Sequence, residues 1–221
     1  MAGRKTFQAQ ASELEEGDIL NPSPMGRRER NKQEKRVRIV AAARQLFRDR
    51  GFAETTTQQI AELADIGTGT LFLYARSKED LLVMVFRDEM IETAKAAFAR
   101  PSKAPLLDQL VDIFSSMLDY HARDTELARI LLKEIMFPDA AGKQADITEL
   151  LEVIYAGLAD LVTKAVRAGQ CRQTANPRRV AENLFANYYM DLLGWLGGRT
   201  SRPQFLHQLR LHLAITISSD I

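Results

Sequence analysis

Apolar residues recur along most of the chain with the spacing of amphipathic helices, and no stretch alternates with the two-residue period of a strand. The first such pattern covers residues 31–50, where Val40, Ala43 and Phe47 share one face. Gly51 should end this helix, because glycine adopts the left-handed conformation that a helix C-cap needs. Phe52 is then placed to fold back over the last turn.

Two short helices and a long one follow. The second helix starts at the threonine run Thr55-Thr56-Thr57, in which any hydroxyl could cap it. A turn at residues 65–67 separates it from a third helix over 68–74. A Ser-Lys-Glu-Asp sequence at 77–80 reads as a capping box, and it opens a fourth helix that ends before Pro101.

The remainder predicts five more helices, so the expected fold is all-α with about nine helices. Their ranges are 105–120, 125–136, 147–168, 177–196 and 203–218. Asn176-Pro177 supplies a helix cap followed by proline at the first helical position. Residues 1–30 lack periodicity and carry several Gly and Pro, which predicts a disordered arm.

Net charge is only +1, yet basic residues are concentrated in one segment. Between residues 27 and 38 there are seven arginines and lysines against Glu29 and Glu34. A local basic block on a near-neutral chain suits a protein that contacts phosphate with one end. A solvated helix face explains the same charges, so composition alone leaves both interpretations open.

Other features set the class of protein. Cys171 is the only cysteine, no apolar run approaches the length of a membrane span, and the first residues lack the apolar core of a secretory signal, so we expect a soluble cytoplasmic protein. The three histidines show no metal-ligand spacing with Cys171, and no nucleophile elbow or Walker motif is present. We therefore expect neither an enzyme nor a bound metal or cofactor.

Two short helices joined by a three-residue turn form a helix-turn-helix pattern, which also occurs as a plain core element. The residues around it resemble the DNA-binding region of the TetR (tetracycline-repressor-like) family without a gap. The matching residues are Arg38-Ile39-Val40-Ala41-Ala42-Ala43, Leu46-Phe47, Gly51-Phe52, Thr55-Thr56, Ile60-Ala61, Ala64, Ile66, Gly69-Thr70-Leu71 and Ser77-Lys78-Glu79-Asp80-Leu81-Leu82. The resemblance implies a three-helix DNA-binding domain over 31–78 and a helical effector-binding and dimerisation domain over 79–221.

Four positions depart from the family pattern. Asp65 stands where glycine is common, and Gly67 where a serine often caps the third helix. Phe72 replaces a frequent tyrosine and Ala75 a frequent phenylalanine. These changes put the fine geometry and the target sequence in doubt, but not the fold.

Carried over by position, the resemblance implies a set of DNA contacts: Thr56, Thr57, Gln58, Thr68, Gly69, Thr70, Phe72, Leu73, Tyr74 and Lys78. Glutamine pairs with adenine, and threonine and leucine suit a thymine methyl, while lysine gives an unspecific phosphate contact. Because no arginine precedes Arg76 in the third helix, we expect A·T-rich central bases in each half-site.

Each contact has a structural alternative. Thr56 is better explained as a helix cap, and Leu71 and Phe72 as core residues. The other threonines and Gln58 could be plain solvated surface, and Lys78 a charge in the capping turn. The basic segment Arg27 to Arg36 could enter a minor groove or, as we favour, add only counterion-release affinity.

The resemblance also implies a homodimer through about 177–196 and 203–218, where a wide apolar arc suggests cover by a symmetric partner. It places an effector pocket among the middle helices, with these candidates: Phe114, Met117, Tyr120, His121, Met136, Phe137, Tyr155, Tyr189 and Trp195. We expect His121 to be an exposed residue at a helix end.

The expected function is a sequence-specific transcriptional regulator, in the manner of a repressor that a small effector releases from an inverted-repeat operator. The alternative is an interaction module derived from a helix-turn-helix that no longer binds DNA. Salt-insensitive DNA binding, or none, would favour this alternative.

Overall fold

A computed structural model of the chain describes residues 26–138, 141–171 and 176–218, and within these ranges every regular element is a helix. The described ranges contain nine helices: α1 (Arg27–Arg50), α2 (Thr57–Leu63), α3 (Thr68–Leu71), α4 (Lys78–Phe98), α5 (Leu106–Ala122), α6 (Thr125–Met136), α7 (Ala141–Arg167), α8 (Pro177–Leu196) and α9 (Arg202–Ser218). The all-α prediction is confirmed.

Two helices begin several residues earlier than the sequence predicts. Helix α1 starts at Arg27 rather than at residue 31, and α7 at Ala141 rather than at residue 147. The basic segment from Arg27 to Arg36 is therefore part of α1 and not of a flexible arm; the rest of the predicted arm, 1–25, lies outside the described residues. Both added stretches lack an apolar stripe, so the periodicity could not reveal them.

The connection from α1 to α2 forms as predicted. Gly51 has φ of +83° and donates its N–H to Phe47 O at 3.1 Å, while the rings of Phe47 and Phe52 lie 5.2 Å apart. Of the threonine run, Thr56 is the cap: its hydroxyl accepts from the N–H of Gln59, whose side chain accepts from the N–H of Thr56. Thr55 is buried, and its hydroxyl lies within hydrogen-bonding distance of Leu46 O and Gly51 O.

The turn between α2 and α3 explains one departure from the family pattern. Asp65 has φ of +53°, the left-handed region that glycine occupies without strain. Aspartate tolerates this region better than most residues. Its carboxylate also lies 3.5 Å from the Arg38 guanidinium. Gly67 occupies the N-cap position before α3 and, having no side chain, leaves the helix without a side-chain cap.

Helix α4 occupies the centre of the molecule and packs against α1, α5, α6 and α7. Six consecutive residues, 81–86, are all buried. Ser77 caps the helix by accepting from the N–H of Asp80 at 3.1 Å. The Asp80 carboxylate does not complete the predicted capping box, because it accepts from the N–H of Arg76 instead, at 2.9 Å.

Helices α8 and α9 bury most of their apolar arc inside the chain, against α5 and α7 as well as each other. Leu184, Tyr188 and Phe205 are fully covered in this way. The argument that so wide an arc requires a symmetric partner is therefore wrong for these residues. Other apolar side chains do remain outside: Met190 on α8 is 62 % exposed and Leu211 on α9 is 51 % exposed.

Helices α4 and α7 approach closely at one glycine, which yields a stability prediction. A Cβ built on Gly157 would lie 2.4 Å from the Phe98 ring, whereas one on Gly142, also in α7, meets no atom within 4 Å. Gly142→Ala should raise the free energy of unfolding by up to about 1 kcal/mol through helix propensity. Gly157→Ala should lower it by about 1–2 kcal/mol, because overpacking outweighs that gain. Urea unfolding of both variants measures the difference, and equal stabilisation would show that the ring moves away freely.

Candidate DNA-binding surface and effector cavity

The predicted DNA contacts lie on or beside the surface formed by α2 and α3. Six are exposed, namely Thr56, Gln58, Thr68, Gly69, Phe72 and Leu73, and four are half-buried, namely Thr57, Thr70, Tyr74 and Lys78. Leu71 is buried as expected, but Phe72 is 46 % exposed, so its assignment to the core is wrong. Leu73 is 83 % exposed, which is unusual for a leucine.

Helix α3 is shorter than predicted. It ends at Leu71, and the chain continues in tight turns in which Leu73 N–H donates to Thr70 O and Tyr74 N–H to Leu71 O. These turns hold Leu73 at the surface while Ala75 returns to the core. The side chain at position 73 therefore stands in solvent on a backbone that is well fixed by hydrogen bonds.

Besides the capping residue Thr56, two more of the predicted contacts already have protein partners. The Lys78 ammonium donates to Phe52 O at 2.6 Å and to Ala53 O at 3.0 Å, and it lies 4.5 Å from the centre of the Phe52 ring. The Gln58 amide donates to the Glu62 carboxylate at 3.0 Å. Lys78 thus fastens the start of α4 to the turn between α1 and α2.

The basic segment of α1 is only partly turned to solvent. Arg36 donates to the Asp146 carboxylate of α7 at 2.6 Å and lies 3.8 Å from Asp88 of α4. Arg87 of α4 also pairs with Asp88 and with Glu149 of α7. Arg36 therefore ties α1 to the larger part of the chain, which removes it from the residues we expected to meet phosphate.

A second ionic link joins three helices near the start of α4. Lys143 of α7 is buried, and its ammonium lies 3.0 Å from Asp80 of α4 and 2.6 Å from Glu134 of α6. The Asp80 carboxylate in turn accepts a hydrogen bond from the backbone N–H of Arg76, which lies in the loop after α3. A buried ammonium needs such partners, because an isolated charge is costly to remove from water.

A cavity of about 390 Å³ lies between α4, α5, α6, α7 and α8. Five of the nine predicted pocket residues line it: Met117, His121, Met136, Tyr155 and Tyr189. The other four do not. Phe114 is stacked behind Tyr188 at 4.8 Å, Tyr120 donates to Glu89, Phe137 faces solvent, and Trp195 packs against the core elsewhere.

Sequence reasoning missed most of the lining. The residues it did not name are Phe86, Met90, Leu132, Ile135, Ile147, Leu150, Leu151, Ile154, Phe185, Tyr188 and Leu192. Nearly all are aliphatic or aromatic positions of helices, which have the same pattern whether they face a cavity or a neighbouring side chain. No signal in one sequence separates the two cases.

Two polar atoms on residues of the cavity wall are completely covered and have no hydrogen-bond partner among the described residues. They are Nδ1 of His121 and the hydroxyl of Tyr188, whose residues are only 4 % and 2 % exposed. The expectation of an exposed His121 is wrong, because the last turn of α5 faces inward. Burial lowers the pKa of His121 to about 4 and raises that of Tyr188, so both groups are neutral at pH 7.

Within the described ranges no helix is long and apolar enough to cross a membrane. No group of three or more His, Cys, Asp or Glu side chains in the same ranges is placed to hold a metal ion.

The fold and the α2–α3 surface are those of a helical protein with a helix-turn-helix, and comparisons agree. Residues 39–85 match the family model described as bacterial regulatory proteins, tetR family. The HTH-type transcriptional regulator TtgR of Pseudomonas putida is 30% identical over 72% of this chain and 78% of its own length. The fatty acid metabolism regulator protein of Bacillus subtilis is 24% identical over 76% of this chain and 86% of its own.

Solved structures show the same fold. Thermus thermophilus FadR, a TetR-family repressor in complex with lauroyl-CoA, superposes with a TM-score of 0.62 at 26% identity, over 82% of this chain and 92% of that one. Bacillus subtilis FadR in complex with stearoyl-CoA superposes with a TM-score of 0.58 at 20% identity, over 84% of this chain and 99% of that one. The chain belongs to the TetR family. It is a transcriptional regulator with a helix-turn-helix, as the sequence predicted.

The buried His121 predicts how stability depends on pH. Its pKa is about 4 in the folded chain against 6.5 unfolded, so below pH 6.5 the unfolded chain binds a proton that the folded chain excludes. The contribution of the neutral His121 to the free energy of unfolding is fully present above pH 6.5. It falls by about 3 kcal/mol as the pH drops to about 4. His121→Phe should flatten this part of the curve in denaturant unfolding at several pH values. Replacing the exposed His207 by Gln is the control, and an unchanged slope in His121→Phe would contradict the assignment.

Proposed function

We propose that the chain is a repressor that binds an inverted-repeat operator as a homodimer and is released by a small molecule in the cavity. In this proposal residues 31–78 bind DNA and residues 79–221 bind the effector and the second subunit. The observation that carries the DNA-binding half is Leu73, an 83 % exposed leucine held by backbone hydrogen bonds beside Thr68 and Thr70. A thymine methyl group is a fitting partner for such a side chain.

The remaining predicted contacts are of two kinds: some would bind DNA phosphates and position the protein, and others would contact the bases and recognise the sequence. Phosphates would be bound by four residues: Thr56, Thr57, Tyr74 and Lys78. The Lys78 ammonium donates to two carbonyl oxygens and keeps a third N–H that can donate to a phosphate. The residues that would face base edges and thymine methyl groups are Gln58, Thr68, Gly69, Thr70, Phe72 and Leu73. Because this surface presents threonine and apolar side chains rather than arginine, the central bases of each half-site should be A·T pairs.

Dimerisation is supported by the outer faces of α8 and α9. Met190 and Leu211 stand in solvent there, although the inner faces of both helices are buried within the chain. An isologous contact of these faces with a second copy would cover both side chains on each subunit. It would also place two helix-turn-helix units in the symmetric arrangement that an inverted repeat requires.

Two observations favour the cavity as the effector site. It is almost entirely apolar, and Phe86 and Met90 in its wall belong to α4, which starts directly after the helix-turn-helix. In two FadR relatives the crystallised ligands are acyl-CoA thioesters, which carry long apolar chains. A ligand that separates α6 and α7 from α4 would also disturb the Lys143 link to Asp80. Operator and ligand would thus favour different positions of α4.

The direct test is selection of bound fragments from random-sequence and genomic DNA, followed by gel shifts over a salt series. The proposal requires an enriched inverted repeat, with affinity that falls steeply as salt rises. No enriched motif at low salt would favour the interaction module that has lost DNA binding.

Leu73 gives a prediction for operator recognition. Leu73→Ala should weaken operator binding about tenfold and relax the preference at one base pair, because a single lost base contact costs about 1–3 kcal/mol. It should leave the unfolding temperature almost unchanged, since the side chain is exposed. Ile130→Ala, which alters an exposed apolar residue on α6, is the matched control. Unchanged affinity and selectivity in Leu73→Ala would remove position 73 from the reading surface.

Filling the cavity should imitate an effector. Ile154→Trp projects extra volume into the cavity from α7, and we expect operator affinity to fall at least fivefold with the fold retained in circular dichroism. The control is Val153→Trp: Val153 directly precedes Ile154 on α7 but faces a separate cleft beside Phe98, so this variant should leave operator affinity within twofold. Equal effects of the two variants would mean that general strain in α7, and not occupation of the cavity, changes DNA binding.

A further inference from the structure

Helix α1 is attached to the larger part of the chain by packing on one side and by charge on another. Among the described residues it packs mainly against α2 and α4. Its contact with α7 is ionic, since Arg36 donates to the Asp146 carboxylate at 2.6 Å. The two side chains are only 19 % and 17 % exposed, so water screens this pair less than a surface pair and its energy depends strongly on distance.

A cleft of about 590 Å³ lies between the start of α1, the loop after α3 and the start of α7. Arg36 and Asp146 both line it, together with other charged side chains such as Lys32. Because no close apolar packing fills this space, α1 and α7 can change their separation here without disrupting a core. The separation of the two helices at the cleft is therefore set largely by the Arg36–Asp146 pair.

Asp146 is the member of this ionic group on which the contact between α1 and α7 depends. The Arg87 guanidinium of α4 pairs with Asp88 and with Glu149, and its Nε lies 3.9 Å from Asp146 Oδ1. Without the Asp146 carboxylate, Arg36 would keep the 3.8 Å contact with Asp88 of α4. Loss of this one carboxylate would thus leave α1 tied to α4 but separate it from α7.

The segment of α7 that carries Asp146 also lines the cavity. Ile147 follows Asp146 directly, and Leu150 and Leu151 lie in the next turn; all three form part of the cavity wall. These side chains share one helical backbone, so a ligand that displaces Ile147 or Leu150 also displaces the Asp146 carboxylate. A hydrogen bond of 2.6 Å is lost after a shift of about 1 Å, because 3.6 Å is too long for one.

We propose that Asp146 is a positioning residue for operator binding, which holds α1 through Arg36 and releases it when a ligand in the cavity displaces the start of α7. Helix α1 packs against α2, so its release changes the orientation of the helix-turn-helix relative to the rest of the subunit. The inference rests on the cavity being the effector site, as proposed above. It adds a route through α7 and α1 to the route through α4.

The test combines Asp146→Asn with the cavity-filling variant Ile154→Trp, which takes the place of an effector. Gel shifts with the selected operator at one salt concentration measure the affinity of the unmodified chain, both single variants and the double variant. Each single substitution should lower operator affinity at least fivefold, because both remove the same link. The double variant should bind within twofold of Ile154→Trp alone, whereas independent effects would multiply to about 25-fold or more.

Two further variants separate the role of the carboxylate from a general effect on α7. Asp146→Glu keeps the carboxylate and should restore operator affinity to within threefold of the unmodified chain. Asp160→Asn makes the same change in net charge about 20 Å further along α7, at an exposed position, and should leave operator affinity within twofold. Urea unfolding of these variants shows whether a loss of affinity merely follows a loss of stability.

A measurement without DNA separates failure of this inference from failure of the proposed function. Nitroxide labels are attached at two exposed positions, through Arg28→Cys on α1 and Lys164→Cys on α7, in a chain that also carries Cys171→Ala. Pulsed electron paramagnetic resonance should show a shifted or broadened distance distribution after Ile154→Trp and after Asp146→Asn. An unchanged distribution in either variant, or multiplicative losses of operator affinity, would overturn the inference. Changed distributions without an operator that the chain binds would support the link from the cavity to α1 and contradict the proposed repressor.

Discussion

The burial of α4 on all sides is the constraint on which the rest of the structure depends. Residues 81–86 of this helix have no face left for solvent, so α1 must cover it at one end and α5, α6 and α7 along its length. A helix enclosed in this way cannot shift without changing the packing of its neighbours. Since α4 begins at the helix-turn-helix and also lines the cavity, packing alone joins the two sites mechanically.

Ionic contacts supplement this packing at the boundary between the two parts of the chain. Arg36 and Lys143 each reach acidic residues on other helices, and the buried Lys143 pairs with the buried Asp80 and the partly buried Glu134. Buried ion pairs add little net stability, because desolvation opposes the attraction, but they are sensitive to geometry. The ion pairs therefore make the orientation of α1 relative to α4 and α7 dependent on the exact positions of these helices.

The cavity contrasts with this boundary because it contains no charged side chain among its described residues. Nδ1 of His121 and the Tyr188 hydroxyl lack partners among the described residues, and both atoms are completely covered by surrounding rings and side chains.

The sequence by itself determined the helical class, most helix ends and the helix-turn-helix, because these depend on local periodicity and on caps such as Gly51 and Thr56. It could not show that α7 begins at Ala141, since the first turns of that helix carry polar residues whose partners are distant in the chain. Only the tertiary structure decided which apolar residues surround a cavity, that His121 is buried, and that Phe72 and Leu73 are exposed. The physical reason is that an apolar stripe is the same in sequence whether it meets another helix, an open cavity or solvent, and only the arrangement of the helices distinguishes these environments.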